Sequence, residues 1–329
     1  MCSMMITEDQ QGSLSDEELV YWLAFEDKIH LLPTRNAVHI FNHFGSLKAL
    51  WQASNLYHNK FAIDDYTIRN LTAHINQTRL SDMRKMLRSI KSNHYKIIRY
   101  VDKGYPDMLK NMKDPPLLIL HKGALLNFDY CIAIVGTRDP SLYGRIMARR
   151  ISRSLGSKGY TIVSGLAKGI DEWAHCGALE APRGRTIAVL AWMDPIYPSE
   201  HCQLVDDIIK KGAIISERFM NPKDKSGPSK FVQRNRITSG ISRCVIAIES
   251  GKEGGTVHQI RIALDQKRKV FALKPKESNK HAKGGFNLFM DMGATPIKSV
   301  RDLLNRLQEE LPGKERKLDS FSQHPIDRF

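Results

Sequence analysis

Hydrophobic residues recur every three or four positions through residues 15–92, and this spacing predicts a series of short helices. The repeat is clearest in LVYWLAF, in AVHIFNHFGSLKALW and in DMRKMLRSI. Ser15 followed by Glu18 resembles a capping box, in which a hydroxyl and a carboxylate bind free amides at the start of a helix. We therefore predict an all-helical module at residues 15–92, preceded by a disordered N-terminus at residues 1–14.

The pattern changes at Cys131, where short apolar runs begin to alternate with helical segments. The strand candidates are CIAIVG, YTIVSG, TIAVLA, AIIS, CVIAIES and KVFALK, and a last strand and helix are expected in ATPIKSV and RDLLNRLQEEL. Helices are predicted near residues 143–158, 169–181, 200–211, 230–240 and 256–265. Strands that are apolar on both faces and alternate with helices are typical of a parallel sheet covered on both sides. We predict an α/β domain with a mostly parallel sheet at residues 131–310.

Two other segments carry weaker patterns. Residues 93–130 place Gly-Tyr-Pro and Asp-Pro-Pro turns between short β-prone runs, which predicts a connector that leads into an edge strand of the sheet. Residues 311–329 are polar and lack periodicity, so we expect a disordered tail there.

The charge of the chain narrows the class of partner. Its 329 residues are 42% hydrophobic and 26% charged, which is the balance of a folded globular protein and excludes disorder over the whole length. The 50 lysines and arginines exceed the 35 acidic residues, giving a net charge of +15. An excess of this size favours a polyanionic partner such as a nucleic acid.

Other compositional features argue against a membrane or metal protein. The longest apolar runs are far shorter than the roughly 20 residues of a membrane span, and the acidic, polar N-terminus is unlike a secretory signal. The five cysteines are scattered and include no C-x-x-C pair, so we interpret them as reduced thiols of a cytoplasmic protein. We predict no metal and no cofactor.

Candidate phosphate-binding residues lie where predicted strands end. In an open parallel sheet, ligands bind at the carboxyl ends of the strands, where helix N-termini offer free N–H groups to anions. The first two strand ends and a later helix start supply glycines, hydroxyls and cations, namely Gly136, Thr137 and Arg138, then Ser164, Gly165, Lys168 and Gly169, and finally Gly255 and Thr256. The G-x-G-x-x-G fingerprint is missing, which weakens a dinucleotide interpretation.

Asp171 and His175 lie four residues apart and therefore on one face of a predicted helix. They are candidates for a catalytic pair, but no nucleophile accompanies them. We interpret them as a structural hydrogen bond that fixes the preceding loop, and we predict no catalytic residues.

Basic residues cluster in the α/β domain. Residues 223–243 contain six basic residues and one acidic residue, and this run carries Lys230, Phe231, Arg234, Asn235 and Arg236. Cations next to an aromatic ring suit a phosphate backbone and a stacked base, although a basic surface helix with a core phenylalanine remains an alternative. Residues 138–153 and 265–283 form two further basic runs.

Taken in order, these motifs resemble the DNA-processing protein A family, also called DprA or Smf. The resemblance rests on LLPTRNAVHIFNHFGS, YPDMLKNMKDPPLLILHKGAL, IVGTRDPSLYG, IVSGLAKGIDEWAH and FVQRNRITSGIS. It implies a sterile-alpha-motif-like helical module followed by an extended Rossmann-like domain. It also implies a non-enzymatic protein that binds and protects incoming single-stranded DNA in natural transformation, forms a homodimer and helps load RecA.

The chain departs from the family pattern at several places. Ala191 and Trp192 stand where the family usually has small residues of a glycine-rich turn, and we expect them to narrow the rim of the site. Lys274 and Lys276 replace a glycine-containing turn. Many members carry a C-terminal winged-helix domain, and we expect this chain to be a form without one.

Two other functions stay open at this point. ESGKEGGTVHQI, with Glu249 nearby, resembles the phosphate loop of Rossmann-like nucleoside-monophosphate phosphoribohydrolases, but it lacks their proline and their glycine spacing. A nucleotide sensor or such an enzyme is therefore the main alternative. A binder of duplex DNA or RNA with the same fold is the other.

Overall fold

The computed structural model describes most of the chain but not all of it. The described residues are 15–26, 34, 38, 41–42, 45–49, 76–124, 128–220 and 227–310. The segments predicted as disordered, 1–14 and 311–329, lie outside them, as does much of the predicted helical module. Contacts divide the chain into two units, one made of the residues up to His121 with Glu217–Phe219, the other of Lys122–Ser216 and the residues from Met220 onward. The predicted domain boundaries stay a prediction.

The first unit contains helices and an antiparallel strand pair. Its helices are α1 (Asp16–Glu26), α2 (Gln77–Ser92) and the short α3 (Asp107–Lys110). Strand β1 (Lys96–Arg99) pairs antiparallel with β2 (Leu118–Gly123), which begins in this unit. The two strands fall in the predicted connector.

Glu18 has a different role from the one its spacing predicts. Its backbone N–H donates to the Ser15 hydroxyl at 3.3 Å, so one half of the capping box is present. The Glu18 carboxylate is buried and accepts hydrogen bonds from the Trp22 indole at 3.1 Å and from the Leu47 N–H at 2.7 Å. The carboxylate therefore connects α1 to residue 47 instead of closing the cap.

The second unit is built on seven parallel strands, as the alternating pattern predicts. In sheet order these are β6 (Ala213–Ser216), β5 (Arg185–Val189), β4 (Thr161–Ser164), β3 (Cys131–Gly136), β7 (Cys244–Ile248), β8 (Lys269–Leu273) and β9 (Thr295–Ile297). Every neighbouring pair in this series is parallel. The predicted fold class, a Rossmann-like α/β domain with a mostly parallel sheet, is confirmed.

Within the described residues, six α-helices connect these strands and a seventh follows the last one. They are α4 (Leu142–Ser157), α5 (Ile170–Glu180), α6 (Cys202–Lys211), α7 (Gly227–Gly240), α8 (Gly255–Asp265), α9 (Lys280–Asp291) and α10 (Val300–Glu310). The sequence pattern did not predict α9. The Asn279 side chain caps this helix by accepting the Ala282 N–H at 3.0 Å, and Phe289 anchors it in the core.

One hydrophobic core lies between the sheet and the helices α4, α5 and α10. Ile132, Ile134 and Ile246 contribute from the central strands, and Ile151 and Leu303 contribute from the helices. This burial fixes β3 at the centre of the sheet, with β4 on one side and β7 on the other. The chain order reverses at β3, and such a switch point opens a crevice at the carboxyl ends of the strands.

Candidate functional site

A pocket of about 580 Å³ lies at this switch point. The loops after β3, β4 and β7 and the helices α7, α8 and α9 supply its walls. Its lining includes nine predicted residues, which are Gly136, Thr137, Arg138, Gly165, Phe231, Arg234, Asn235, Gly255 and Thr256. Residues from distant parts of the sequence thus meet in one crevice.

The backbone of the loop after β3 is held on both sides. The Thr137 N–H donates to the Glu249 carbonyl at 2.9 Å, and the Thr137 carbonyl accepts the Ile170 N–H at 3.1 Å. Arg138 follows on this fixed backbone, and its side chain is exposed. Arg138 lines the pocket, an adjoining cleft of about 70 Å³ and a groove of about 390 Å³. It is therefore a rim cation shared by all three cavities.

Arg234 is a buried part of the pocket wall. It is 8% exposed, and its Nη1 donates to the Val189 carbonyl at the end of β5 at 2.8 Å. A Cβ at Gly165 would stand 1.8 Å from the same nitrogen, so the loop after β4 can approach the guanidinium only because residue 165 is glycine. Arg234 thus holds two strand ends together.

Asp171 is the buried counterpart of Arg234. Its carboxylate accepts the Gly165 N–H at 3.1 Å and the Ala167 N–H at 3.4 Å. Burial raises the pKa of Asp171, while the charge of Arg234 and these amides act in the opposite direction. Burial likewise lowers the pKa of Arg234, against the effect of Asp171. Each charge is therefore tolerated because the other is present.

The start of α8 forms the opposite wall of the pocket. Gly254 has a φ of 104°, which favours glycine, whereas Gly255 has no such constraint. Apart from its chain neighbours and the backbone of its own helix, no atom of the described residues lies within 4 Å of the position that a Cβ of Gly255 would take. The backbone here is open to the pocket, and the free N–H groups of a helix start attract anions.

Three aromatic rings cluster beside the pocket. The centroid of Trp192 is 5.1 Å from that of Phe231, and the centroid of Tyr197 is 5.5 Å from Phe231. Tyr197 and Phe231 line the pocket, whereas Trp192 is only 5% exposed and is not among the lining residues. Trp192 therefore lies behind the other two rings and does not narrow the rim as its position in the sequence suggested.

The other five predicted residues do not line the pocket. Lys168 and Gly169 line the 390 Å³ groove, where Lys168 pairs with Glu200. The Ser164 hydroxyl is buried and donates to the Ile134 carbonyl at 2.6 Å. Lys230 and Arg236 lie on α7 outside the pocket lining. Their assignment as phosphate ligands stays a prediction.

Asp171 and His175 do not bond to each other in the way their spacing suggested. His175 is fully buried, and its Nδ1 lies 2.7 Å from the Thr186 hydroxyl, which itself donates to the Ile162 carbonyl. Nδ1 must therefore carry the proton and donate. Burial lowers the pKa of His175 to about 3. The imidazole serves the interior of the domain, and Asp171 binds the amides of the loop without it.

Glu249 is also occupied by structural contacts. One carboxylate oxygen accepts the Ser141 N–H at 2.8 Å, and the other accepts the Ser141 hydroxyl and the Asn279 amide. The side chain is 7% exposed. Glu249 therefore fixes the start of α4, and its carboxylate is not presented to the pocket as the enzyme alternative requires.

Several lining residues were not singled out from the sequence. They include Tyr197, Thr238, Ser250, Gly251, Glu253, Gln259 and His281. Most lie on helices or after turns where an ordinary surface residue would also fit. Two signals were available: the motif ESGKEGGTVHQI, which contains Ser250, Gly251, Glu253 and Gln259, and the Ile-Tyr-Pro motif around Tyr197.

The described part of the chain gives two further findings. None of its helices is long and apolar enough to cross a membrane. Within the same residues, no group of three or more histidine, cysteine, aspartate or glutamate side chains is arranged to hold a metal ion.

Comparisons with known proteins agree on one family. Residues 96–308 match the family described as DNA recombination-mediator protein A. The DNA processing protein DprA of Bacillus subtilis is 36% identical over 228 residues, which are 68% of this chain and 75% of the relative. Protein Smf of Synechocystis is 31% identical over 300 residues, which are 89% of this chain and 74% of the relative.

Two solved structures extend the likeness to three dimensions. The X-ray structure of DNA processing protein A from Streptococcus pneumoniae has a TM-score of 0.69 and 25% identity, covering 89% of this chain and 98% of that one. The protein from Helicobacter pylori, described for its single-stranded DNA binding mode, has a TM-score of 0.57 and 26% identity, covering 66% of this chain and 97% of that one. The sequence match and the shared fold agree: the chain belongs to the DNA recombination-mediator protein A family.

Proposed function

We propose that this protein binds single-stranded DNA at the switch-point pocket and acts as a recombination mediator. The observation that carries the proposal is the meeting of the Gly136–Arg138 loop and the start of α8 in one open crevice. Arg138 and the free amides of α8 would hold phosphates at its rim. The solved family member from Helicobacter pylori, described for its single-stranded DNA binding mode, supports the choice of ligand.

The proposal assigns the DNA site to residues 131–310. The basic runs at 138–153, 223–243 and 265–283 belong to this part of the chain and would guide a polyanion toward the pocket. Contacts to phosphates carry no sequence information, so binding should be largely independent of sequence. We expect no chemical step, since Glu249 and His175 are already engaged in structural hydrogen bonds.

The test is a titration of oligo(dT) and of duplex DNA of equal length at two salt concentrations. Oligo(dT) should bind more tightly, and its affinity should fall with a log–log slope of about −0.7 per neutralised phosphate. The variant Arg138→Ala should flatten that slope by about 0.7, while Arg138→Lys should keep it. A salt-independent affinity, or a preference for duplex DNA or RNA, would refute the proposed function.

The family resemblance extends the proposal to partners. We propose on this basis that the protein is a homodimer and helps load RecA onto the strand that it protects, as in natural transformation. Light scattering during the same titration would give the mass of the complex. RecA filament assembly on oligo(dT) coated with single-strand-binding protein should accelerate when this protein is added, and an unchanged rate would remove the RecA role.

The enzyme alternative has its own test. Nucleoside monophosphates incubated with the protein should release no free base. Release of base would instead favour the phosphoribohydrolase interpretation.

A further inference from the structure

We propose that a second segment of single-stranded DNA binds across the amino ends of the parallel strands, at the end of the sheet opposite the pocket. The binding surface is the amino-end row, which consists of Lys158, Arg183, Arg185, Arg243 and Lys267. None of these five residues lines the pocket. The inference takes from the proposed function only the kind of ligand, and it adds a site of its own.

The distribution of charge is the first observation. The pocket lining contains two arginines and two acidic residues, whose formal charges cancel, whereas the whole chain carries +15. Part of the excess lies where strands begin. The segments that lead into or open five neighbouring strands contain seven basic residues and one acidic residue, namely residues 183–185 at β5, 158–160 at β4, 128–130 at β3, 243 at β7 and 267–269 at β8.

The lack of ion pairs in the amino-end row is the second observation. Four members of the row are exposed, and Arg243 is half-buried. Among the described residues, none of the five forms a salt bridge. Glu180, three residues before Arg183, pairs with Arg149 instead. The row is therefore positive charge that an external anion can neutralise.

The other two basic residues of these segments have partners within the protein. Lys269 pairs with Glu310 at 2.8 Å. Arg268 donates to the Gly240 carbonyl at 2.8 Å. Because the fold itself uses these two cations, they are not part of the row.

Backbone packing brings one half of the row together. A Cβ at Gly156, near the end of α4, would lie only 3.3 Å from the Gly184 Cα. The turn that carries Arg183 therefore packs against the end of α4, and Lys158 follows that helix directly. Arg185 opens β5 in the same turn.

The other half of the row is joined by hydrogen bonds. The Arg243 N–H donates to the Cys131 carbonyl at 2.9 Å, where β3 begins. The bond from Arg268 to Gly240 holds the turn of Lys267 beside the segment that leads to Arg243. Both halves thus lie at the same end of the sheet.

The length of the row suits a linear polyanion. It spans five neighbouring strands, from β5 to β8. With about 4.8 Å between strands, the four spacings give a length of about 19 Å. A single small anion contacts only part of such a row. A DNA backbone neutralises several of its cations at once and releases their counterions.

Two tyrosine rings favour a single strand over a duplex. Tyr160 precedes β4 and Tyr130 precedes β3, so both lie within the row, and both are partly exposed. The Arg243 guanidinium lies 5.2 Å from the centroid of the Tyr130 ring. Aromatic and guanidinium groups offer stacking surfaces to unpaired bases, whereas the bases of a duplex are already stacked on one another.

The amino-end row and the pocket are separate sites. Strand β3 runs from one to the other, and the five steps from Cys131 to Gly136 at about 3.3 Å each put about 17 Å between them. A protein with both sites occupied would hold two segments of DNA at opposite ends of one sheet.

The test counts binding sites with an oligo(dT) of about eight nucleotides, a length within the usual site sizes. Calorimetric titration of the wild type should give two sites per chain. The triple variant Lys158→Gln, Arg183→Gln, Arg185→Gln should weaken one of them by about 100-fold at about 0.1 M salt and lower its log–log salt slope by about 2, since three contacts are lost. The other site should keep its affinity.

The matched control is Lys85→Gln, Arg88→Gln, Lys103→Gln, which removes the same charge from three exposed residues of the first unit. It should keep both sites. Lysine acetylation followed by mass spectrometry gives a local measurement on the wild type. Oligo(dT) should protect Lys158 and Lys267 but not Lys85, and the protection should persist in Arg138→Ala.

The outcomes separate this proposal from the proposed function. Unchanged binding by the triple variant, an equal loss in the control, or no protection of Lys158 would overturn the second site. Tighter binding of duplex DNA than of oligo(dT) at the row would overturn the choice of a single strand. If instead Arg138→Ala has no effect and the triple variant loses all binding, the row stands and the pocket function is refuted.

Discussion

Two arginines face the same pocket and have opposite roles. Arg138 is exposed on a rigid loop, where a cation is available to a ligand. Arg234 is buried, donates to the Val189 carbonyl and offsets the charge of Asp171, so its charge is needed by the protein itself. An arginine in a basic motif therefore need not be a DNA ligand. Whether its guanidinium is exposed or buried decides its role.

Removing the Arg234 guanidinium should destabilise the second unit. Arg234→Ala leaves Asp171 as a buried charge without its cation, at a cost of about 3–5 kcal/mol in the free energy of unfolding. Urea denaturation would measure the loss. Adding Asp171→Asn to Arg234→Ala should recover part of it, and an Arg234→Ala protein as stable as the wild type would contradict the structural role.

His175 should make the stability depend on pH. Its pKa falls from 6.5 to about 3 on burial, so the unfolded chain takes up a proton that the folded protein refuses. The stabilisation is complete above pH 6.5 and is lost as the pH falls toward 3, by at most about 1.4 kcal/mol per pH unit. Urea titrations from pH 6.5 to 4.5 should show this extra slope in the wild type and not in His175→Gln. Parallel slopes would contradict the buried neutral imidazole.

At the scale of elements, the start of α8 has a glycine, Gly255, at a position where a side chain would fit. Alanine is intrinsically more favourable than glycine within a helix, and Gly255 has room for a side chain. Protein packing therefore does not explain the glycine. We propose that the backbone is left open for the close approach of a ligand, as in other glycine-rich anion sites.

Gly255→Ala should make the protein more stable and weaken its binding of DNA. The free energy of unfolding should rise by about 0.4–1 kcal/mol, because alanine restricts the unfolded chain. Affinity for oligo(dT) should fall by roughly tenfold as the methyl group enters the pocket, an effect of ~1.4 kcal/mol. Gly104→Ala is the matched control, since that glycine also has open space around it but does not line the pocket. An unchanged affinity in Gly255→Ala would show that no ligand approaches this backbone.

The pattern of apolar residues predicted most of the elements of the second unit. Its strands alternate with helices whose ends fall within three residues of the predicted ones. Helix α9 was missed because KHAKGGFNLFMD opens with lysines and a glycine pair that hide its apolar face. The site was only partly predictable: glycines after strands mark where loops turn, but burial of Arg234 and exposure of Tyr197 depend on segments that meet only in the folded chain.

At the scale of the whole molecule, the net charge differs from the charge of the pocket lining. The net charge is +15, yet the charges that line the pocket cancel. The excess therefore lies outside the pocket and acts at a distance, where salt screens it strongly.

The rate of association should report this long-range attraction. Raising the salt from about 0.05 to 0.2 M should slow the association of labelled oligo(dT) by about tenfold, since steering by charge is lost as ionic strength rises. Stopped-flow fluorescence would measure the association and dissociation rate constants separately. A salt effect confined to dissociation would place the important charges inside the contact instead.

The buried pair of Asp171 and Arg234 has a consequence for competition inside a cell. Because Asp171 offsets the charge of Arg234, the exposed arginine that a free nucleoside triphosphate would meet at the pocket is Arg138. A strand differs from such a metabolite because it also reaches the basic surface beyond the rim with its neighbouring phosphates. The pair would thus favour binding of a DNA strand over binding of free nucleotides, even where free nucleotides are abundant.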